Sequence, residues 1–377
     1  MEKCMENAIP HDIVLDILPR LSCKSLQRFK SVCEEWSCLI SGPQFLRKNF
    51  LLTNARKDSS LWKCMYVASR GSDLVSGRFV LETSDCKGST REVRVDRGPT
   101  STGEFDFLGS CNGLLLLSRG DDDLFIWNPC SGKKKKVACP RLLVLARHYV
   151  LTRISGLAYD SSSEDYKAVF GLHLNPGWIE ILLYSFRTST WKIIHIKALP
   201  FMLSPEQGAT ENGAPHWASS NREIVYFDPA EEKFRNLSFP ADRKATYSRI
   251  AFGALGGCLS VTYIFTFMWE TWVMREYGME ESWMKLFVVD VPNSWDKYLH
   301  LRPLCFTKKG EVLMEVLMEE DEKVEKRIVV YNLRDSSKTH VSSLDNKYKL
   351  HYWRSKNLGI KLVTYLETSD FPPDYGH

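Results

Sequence analysis

No apolar run in this 377-residue sequence approaches the roughly 18 residues that a membrane-spanning helix needs. The longest candidate, Leu259 to Met268, is broken by Ser260, Thr262 and Thr266. An apolar leader is missing too, because Glu2, Lys3, Glu6, His11 and Asp12 crowd the start of the chain. The expectation is a protein kept in the cytoplasm or nucleus, with no membrane insertion. Charge of one sign is also scarce: 50 Lys+Arg against 46 Asp+Glu leave +4. A dedicated nucleic-acid binder concentrates basic residues in a patch or stripe, so no nucleic-acid partner is expected. The eleven cysteines form no Cys-x-x-Cys pair and no cluster at zinc-finger spacing. Their number is odd, and reduced cysteines used as small core residues are the expectation.

Signatures of catalysis are absent as well. The nine histidines are scattered, with no His-Glu-x-x-His, no His-x-His pair and no Gly-x-Ser-x-Gly elbow. Gly253-Ala-Leu-Gly-Gly257 lacks the Lys-Ser/Thr of a phosphate-binding loop and reads as a tight turn between strands. His216, beside Trp217, reads as a core residue rather than a base. The sequence therefore predicts no catalytic residue, no cofactor and no metal site, although a triad assembled from distant residues would leave no such trace.

What is present is a foldable chain, 44% hydrophobic and 25% charged, with two textures. From residue 9 to about 50 the apolar residues recur at helical spacing. Ile13, Ile17, Leu18 and Leu21 form one series, with Pro10 placed where a proline fits a helix start. Leu26, Phe29, Val32, Cys33, Trp36, Leu39 and Ile40 form a second face of about four turns, with Ser25 as its expected N-cap and Gly42-Pro43 as its end. So small a unit presents more apolar surface than it can cover by itself. Either the stripe packs on the rest of the chain, or it docks on helices of another protein.

From about residue 60 short apolar runs alternate with Gly, Asn, Pro, Asp and Ser clusters, which predicts strands. A loose repeat runs through them: a strand ending in an aromatic, a polar turn, then a second strand. Its copies begin at Leu124, Ile181, Ile224, Leu286 and Ile328, at steps of 57, 43, 62 and 42 residues. Those steps suit four-stranded blades, and the stretch Trp62 to Val95 supplies another, giving an all-β propeller of about six blades. Lys133 to Lys136 reads as a hairpin tip, and Glu319 to Glu322 as an exposed loop.

The helical segment resembles the F-box. Ile9-Pro-His-Asp-Ile-Val-Leu-Asp-Ile-Leu18 is similar to its Leu-Pro-x-Asp-Ile opening. Arg20-Leu-Ser-Cys-Lys-Ser-Leu26 and Arg28-Phe-Lys-Ser-Val-Cys-Glu-Glu-Trp36 follow its next two stretches, and Leu39 to Phe45 completes it. Ile9, Pro19 and Ser22 depart from the pattern, and Pro19 should end the first helix early. The remainder resembles the F-box-associated interaction domain of plant F-box proteins, often labelled F-box/kelch-repeat. The carrying motifs are Gly109-Ser-Cys-Asn-Gly-Leu114, Trp127-Asn-Pro129, Tyr159-Asp160 with Asp165-Tyr-Lys167, Asn212-Gly-Ala-Pro-His-Trp217, Trp272 to Gly278 with Glu281-Ser-Trp283, and Tyr365-Leu-Glu-Thr368.

The resemblance implies a three-helix F-box over residues 1–50 and a substrate-binding propeller over 51–377. It implies docking on a Skp-type adaptor and, through it, on the cullin and RING subunits of a ubiquitin ligase. Pro10, Ile13, Ile17, Leu18, Leu21, Leu26, Val32, Cys33, Trp36, Leu39 and Ile40 are then the candidate contacts or supports of the adaptor face, with Leu26 and Trp36 as its expected anchors. The chain itself would be non-catalytic, and its protein substrate is not identified by any motif. An adaptor-bound regulator that recruits nothing for degradation, and a carbohydrate-binding or enzymatic propeller, are the alternative readings.

Overall fold

The computed structural model describes residues 10–45 and 62–366, apart from 22, 42–44, 71–72, 81–88, 95–104, 120–122, 130, 139–153, 176, 198–207, 220–221, 241–248, 291–297, 308–309, 321–322, 335–337 and 344–360. Three short helices come first: α1 (His11–Ile17), α2 (Cys23–Phe29) and α3 (Glu34–Ser41). Pro10 stands at the N-cap of α1, and Pro19 converts its end into a 3-10 turn over Leu18–Arg20. The apolar series that begins at Leu26 is therefore not one helix. It is broken at residues 30–33 and continues in α3. Ser25 lies inside α2 rather than capping it.

The β region is built from β1 (Trp62–Arg70), β2 (Asp73–Val80), β3 (Ser89–Arg94), β4 (Phe105–Cys111), β5 (Leu114–Arg119), β6 (Asp123–Trp127) and β7 (Lys134–Ala138). It continues through β8 (Ser155–Asp160), β9 (Asp165–Asn175), β10 (Trp178–Ser185), β11 (Thr190–Lys197), β12 (Ala209–Glu211), β13 (Ala214–Ala218), β14 (Glu223–Asp228) and β15 (Lys233–Ser238). It ends with β16 (Arg249–Ala254), β17 (Leu259–Ile264), β18 (Met268–Met274), β19 (Trp283–Asp290), β20 (Tyr298–Phe306), β21 (Val312–Glu320), β22 (Lys323–Tyr331), β23 (Lys338–Ser343) and β24 (Lys361–Leu366).

These strands form six four-stranded antiparallel sheets among the described residues. Five are made of four consecutive strands, here blades 2 to 6. Blade 1 is made from both ends of the domain, because β24 pairs with β1 from Trp62↔Leu366 to Val67↔Lys361. The first strand of each sheet meets the first strand of the next, from β24 through β4, β8, β12, β16 and β20 back to β24. The ring is thus closed, as the six-blade expectation requires.

The third strands of the blades begin at residues 73, 123, 178, 223, 268 and 323, so the repeat is more regular than the sequence copies indicated. Four of those copies are the third and fourth strands of a blade. The one at Leu286 is not: it lies in β19, a fourth strand, and the equivalent third strand is β18. That displacement produced the 62- and 42-residue steps, and the copies at Leu124, Ile181 and Ile224 begin at different points of their strands.

The core lies between blades rather than inside any one of them. Leu116, Leu124 and Ile126 of blade 2 pack with Leu157, Phe170 and Tyr184 of blade 3. Val169 and Ile181 meet Trp217 and Phe227 of blade 4, and Ile224 and Leu237 meet Phe252 and Tyr263 of blade 5. Trp269 and Val289 of blade 5 meet Leu301, Met314 and Tyr331 of blade 6. Near the axis the first strands crowd together. A Cβ on Gly109 would stand 2.8 Å from the Leu157 nitrogen and 2.9 Å from the Gly156 Cα, both backbone atoms that cannot give way cheaply.

Gly109→Ala should therefore destabilise the propeller by about 1–3 kcal/mol through overpacking. A Cβ on Gly253, also on a first strand, would have no neighbour nearer than 3.7 Å, so Gly253→Ala should stay within about 0.5 kcal/mol of the natural protein. Urea unfolding of the two variants checks the contrast.

Candidate functional site

The helical unit closes a small core of its own. Val14, Leu18, Leu26, Ile40 and Phe45 are buried together, with Leu21, Phe29, Trp36 and Leu39 packed against them. Phe29 and Trp36 meet edge to face at 5.6 Å, which joins α2 to α3 across the break. Cys33 provides the start of α3, since the Trp36 N–H donates to its Sγ at 3.4 Å. No sequence rule singles out a cysteine for that place, because Ser, Thr, Asp and Asn dominate N-caps.

The eleven predicted adaptor-face residues thus separate into groups. Leu18, Leu26 and Ile40 are buried in the core, where they support the unit. Leu26, an expected anchor, is a fully buried side chain of this core. Leu21, Trp36 and Leu39 are half-buried at the edge of that core. Pro10 and Cys33 are exposed. Ile13 (47% exposed), Ile17 (48%) and Val32 (59%) present their aliphatic side chains to solvent. Pro10, Ile13 and Ile17 follow steps of three and four, which align them along one side of α1. Cys33 and Cys38 are exposed thiols, whereas Cys111 and Cys305 occupy the core as expected for all of them.

In the propeller the motif residues hold blades to one another. Lys167 Nζ is buried and donates to the Pro229 carbonyl at 2.7 Å, to Glu232 Oε1 at 3.1 Å and to Asp160 Oδ2 at 3.4 Å. A buried ammonium is tolerated only with such partners. Burial alone would push the Asp160 carboxyl up. The Ser162 and Ser163 hydrogen bonds, together with Lys167, hold it down at about 2. Trp191 of blade 3 donates its indole N–H to the Ala138 carbonyl of blade 2 at 2.9 Å. Trp283 of blade 5 does the same to Ser238 of blade 4 at 3.1 Å, and the Ser238 N–H donates to Glu280 Oε1 at 2.7 Å. The Asp-Tyr-Lys motif named Lys167, but its partner Glu232 lies in a distant turn that nothing in the local sequence marks.

His216 is fully buried, stacks on Tyr226 at 5.2 Å, and its Nε2 lies 3.0 Å from the Tyr277 hydroxyl. Burial drives its pKa down to about 3, against backbone interactions with Ala214 and Ala209 that pull it up. The ring is a neutral bridge between blades 4 and 5. Among the described residues no group of three or more His, Cys, Asp or Glu is placed to hold a metal ion. No helix among them is long and apolar enough to cross a membrane.

Compared with known proteins, residues 67–366 match the model of the F-box associated beta propeller domain, and residues 7–48 match that of the F-box domain. The chain is 28% identical over 344 residues to the F-box protein CPR1 of Arabidopsis thaliana, covering 82% of this chain and 79% of that protein. It is 29% identical over 322 residues to an F-box/kelch-repeat protein of the same plant, covering 81% and 85%. A third Arabidopsis F-box protein is 26% identical over 353 residues, covering 82% of each chain.

His216 has a folded pKa below its ordinary value, so the unfolded chain binds its proton first. Its contribution to stability is complete above pH 6.5 and is lost as the pH falls from 6.5 toward about 3. The slope approaches about 1.4 kcal/mol per pH unit within that window. Urea unfolding at several values between pH 7 and 4.5, which lies above the Asp160 range, should show a steeper decline in the natural protein than in His216→Gln.

Proposed function

The chain belongs to the family of F-box proteins with an F-box-associated β-propeller, and from that premise we propose that it is the substrate-recognition subunit of a Skp–cullin–F-box ubiquitin ligase. One observation carries the reading. Ile13 and Ile17 remain about half exposed on α1, and Val32 is exposed beyond α2, although the helical unit has a closed core of its own. Aliphatic side chains left over on so small a unit suit a groove of helices in an adaptor. Buried Leu26, Leu18 and Ile40 fix the shape on which those side chains stand.

The mechanism needs no catalytic residue in this chain. The F-box tethers it to the adaptor and thereby to the cullin and RING subunits. The propeller holds a protein substrate, so substrate lysines share a small volume with the charged conjugating enzyme. The gain is one of effective concentration and orientation. The setting would be the cytoplasm or nucleus, and the outcome degradation of the bound protein.

Co-expression of the full chain with a Skp adaptor tests the reading. The natural chain should co-purify with the adaptor. Ile13→Asp with Ile17→Asp should abolish capture while thermal unfolding and helical circular dichroism stay unchanged, because both residues are exposed. Leu26→Ala should act differently, costing about 2–5 kcal/mol within the helical core, with loss of helical signal in parallel with loss of capture. Full capture by the double Asp variant would refute the assigned face.

A further inference from the structure

Strand direction alternates within each blade, so the turns divide between two ends of the propeller. One end carries the turns between first and second strands and between third and fourth strands. In blades 3 to 5 these are residues 161–164, 186–189, 212–213, 229–232, 255–258 and 275–282. They contain Glu164, Glu231, Glu232, Glu276, Glu280 and Glu281 against Arg187 and Arg275. The interblade bonds of Lys167 and Tyr277 lie there too.

The other end of the same three blades has a different chemistry. Trp178 follows the Gly177 turn of blade 3 and is 54% exposed. Phe267 (61%) ends the corresponding turn of blade 5, and Met268 (37%) opens β18 beside it. Cations accompany them. Lys197 pairs opposite Trp178 across the β10–β11 ladder. Arg222 stands in the matching turn of blade 4, and Arg249 opens β16 opposite Ile264. All three are exposed, and the acidic residues beside them among the described residues are Asp290 and a Glu223 that accepts a hydrogen bond from Asn236 at 3.0 Å.

Single exposed apolar residues are ordinary on a protein surface, and an isolated one would mean nothing. Here Trp178 and Met268 open the third strands of two blades, with Phe267 next to Met268 and basic residues between and beside them. Aromatic anchors accompanied by cations are the composition of interface centres. We propose that this end of blades 3 to 5 is a docking surface for an extended acidic segment of a protein substrate. Aliphatic or aromatic side chains of that segment would seat against Trp178 and Phe267, and its carboxylates would meet Lys197, Arg222 and Arg249. The inference rests on the reading that the propeller recruits a protein, and it adds where and with what chemistry. A nucleic acid is the less favoured occupant, because the three cations among the described residues would neutralise few phosphates.

The probes are labelled synthetic 15-residue peptides in three sets: acidic with interspersed Leu and Phe, basic with the same apolar residues, and acidic without apolar residues. Fluorescence polarisation against the full chain should show binding of the first set alone. Trp178→Ala and Phe267→Ala should each weaken it about fivefold or more, as truncated anchors do. Arg249→Glu should weaken it further at low salt than at high salt. Ile193→Ala, on an outer strand away from this end, should leave it unchanged. Equal binding of the basic set, indifference to both aromatic variants, absence of binding by every acidic-apolar peptide, or stronger binding of single-stranded RNA of the same length would overturn the proposal. Adaptor capture, followed in the same variants, should be unaffected by all of them. Its loss in the natural chain would count against the ligase reading and leave the peptide result standing.

Discussion

The pairing of β24 with β1 is the constraint on which the propeller depends. Six consecutive rungs, Trp62↔Leu366 to Val67↔Lys361, join strands about 300 residues apart in the chain. Without them blades 1 and 6 would each present an uncovered flank, since every described core cluster of blades 2 to 6 is shared between neighbours. A blade does not bury its own side chains; it buries those of the next one. Closure therefore converts a row of marginal sheets into a mutually supporting ring.

Polar contacts then fix how neighbouring blades are aligned. Apolar packing is non-directional and would tolerate small rotations. The Lys167 bonds to Pro229 and Glu232, the Trp283 bond to Ser238 and the His216–Tyr277 contact do not, because each has a preferred length and angle. They cost desolvation, most visibly at His216, which burial keeps neutral. What they supply is one defined arrangement of blades, and so a fixed geometry at both ends of the ring.

Much of this was legible in the sequence, for physical reasons that differ by region. Blade-like strands were visible because Leu124, Ile181 and Ile224 each lie in a third strand followed by a tight polar turn. Blade 5 misled because its turn, residues 275–282, is longer and carries its own apolar residues, so the next run, at Leu286, imitated a third strand. The helical unit misled differently. Its three-and-four spacing continues through residues 30–33, which contain neither Gly nor Pro, and only the Cys33 cap and the Phe29–Trp36 contact show two helices. Periodicity also could not tell a core face from a docking face: Leu26 and Val32 belong to one series, yet one is fully buried and the other is 59% exposed.

The placement of the recognisable motifs has a consequence for what the rest of the molecule is free to do. Lys167, Tyr277 and Trp283 are engaged in holding blades together through bonds that a substitution would leave unpaired, Asp160 supports Lys167, and Trp217 is packed between blades 3 and 4. Residues so committed cannot change with each partner. The turns at the opposite end carry no such bonds at Trp178 or Phe267, whose side chains stand in solvent. Turns that carry no such bonds can vary at little cost to folding. The helical unit shows the same division in miniature: Leu18, Leu26 and Ile40 set the shape, and Ile13, Ile17 and Val32 stay exposed.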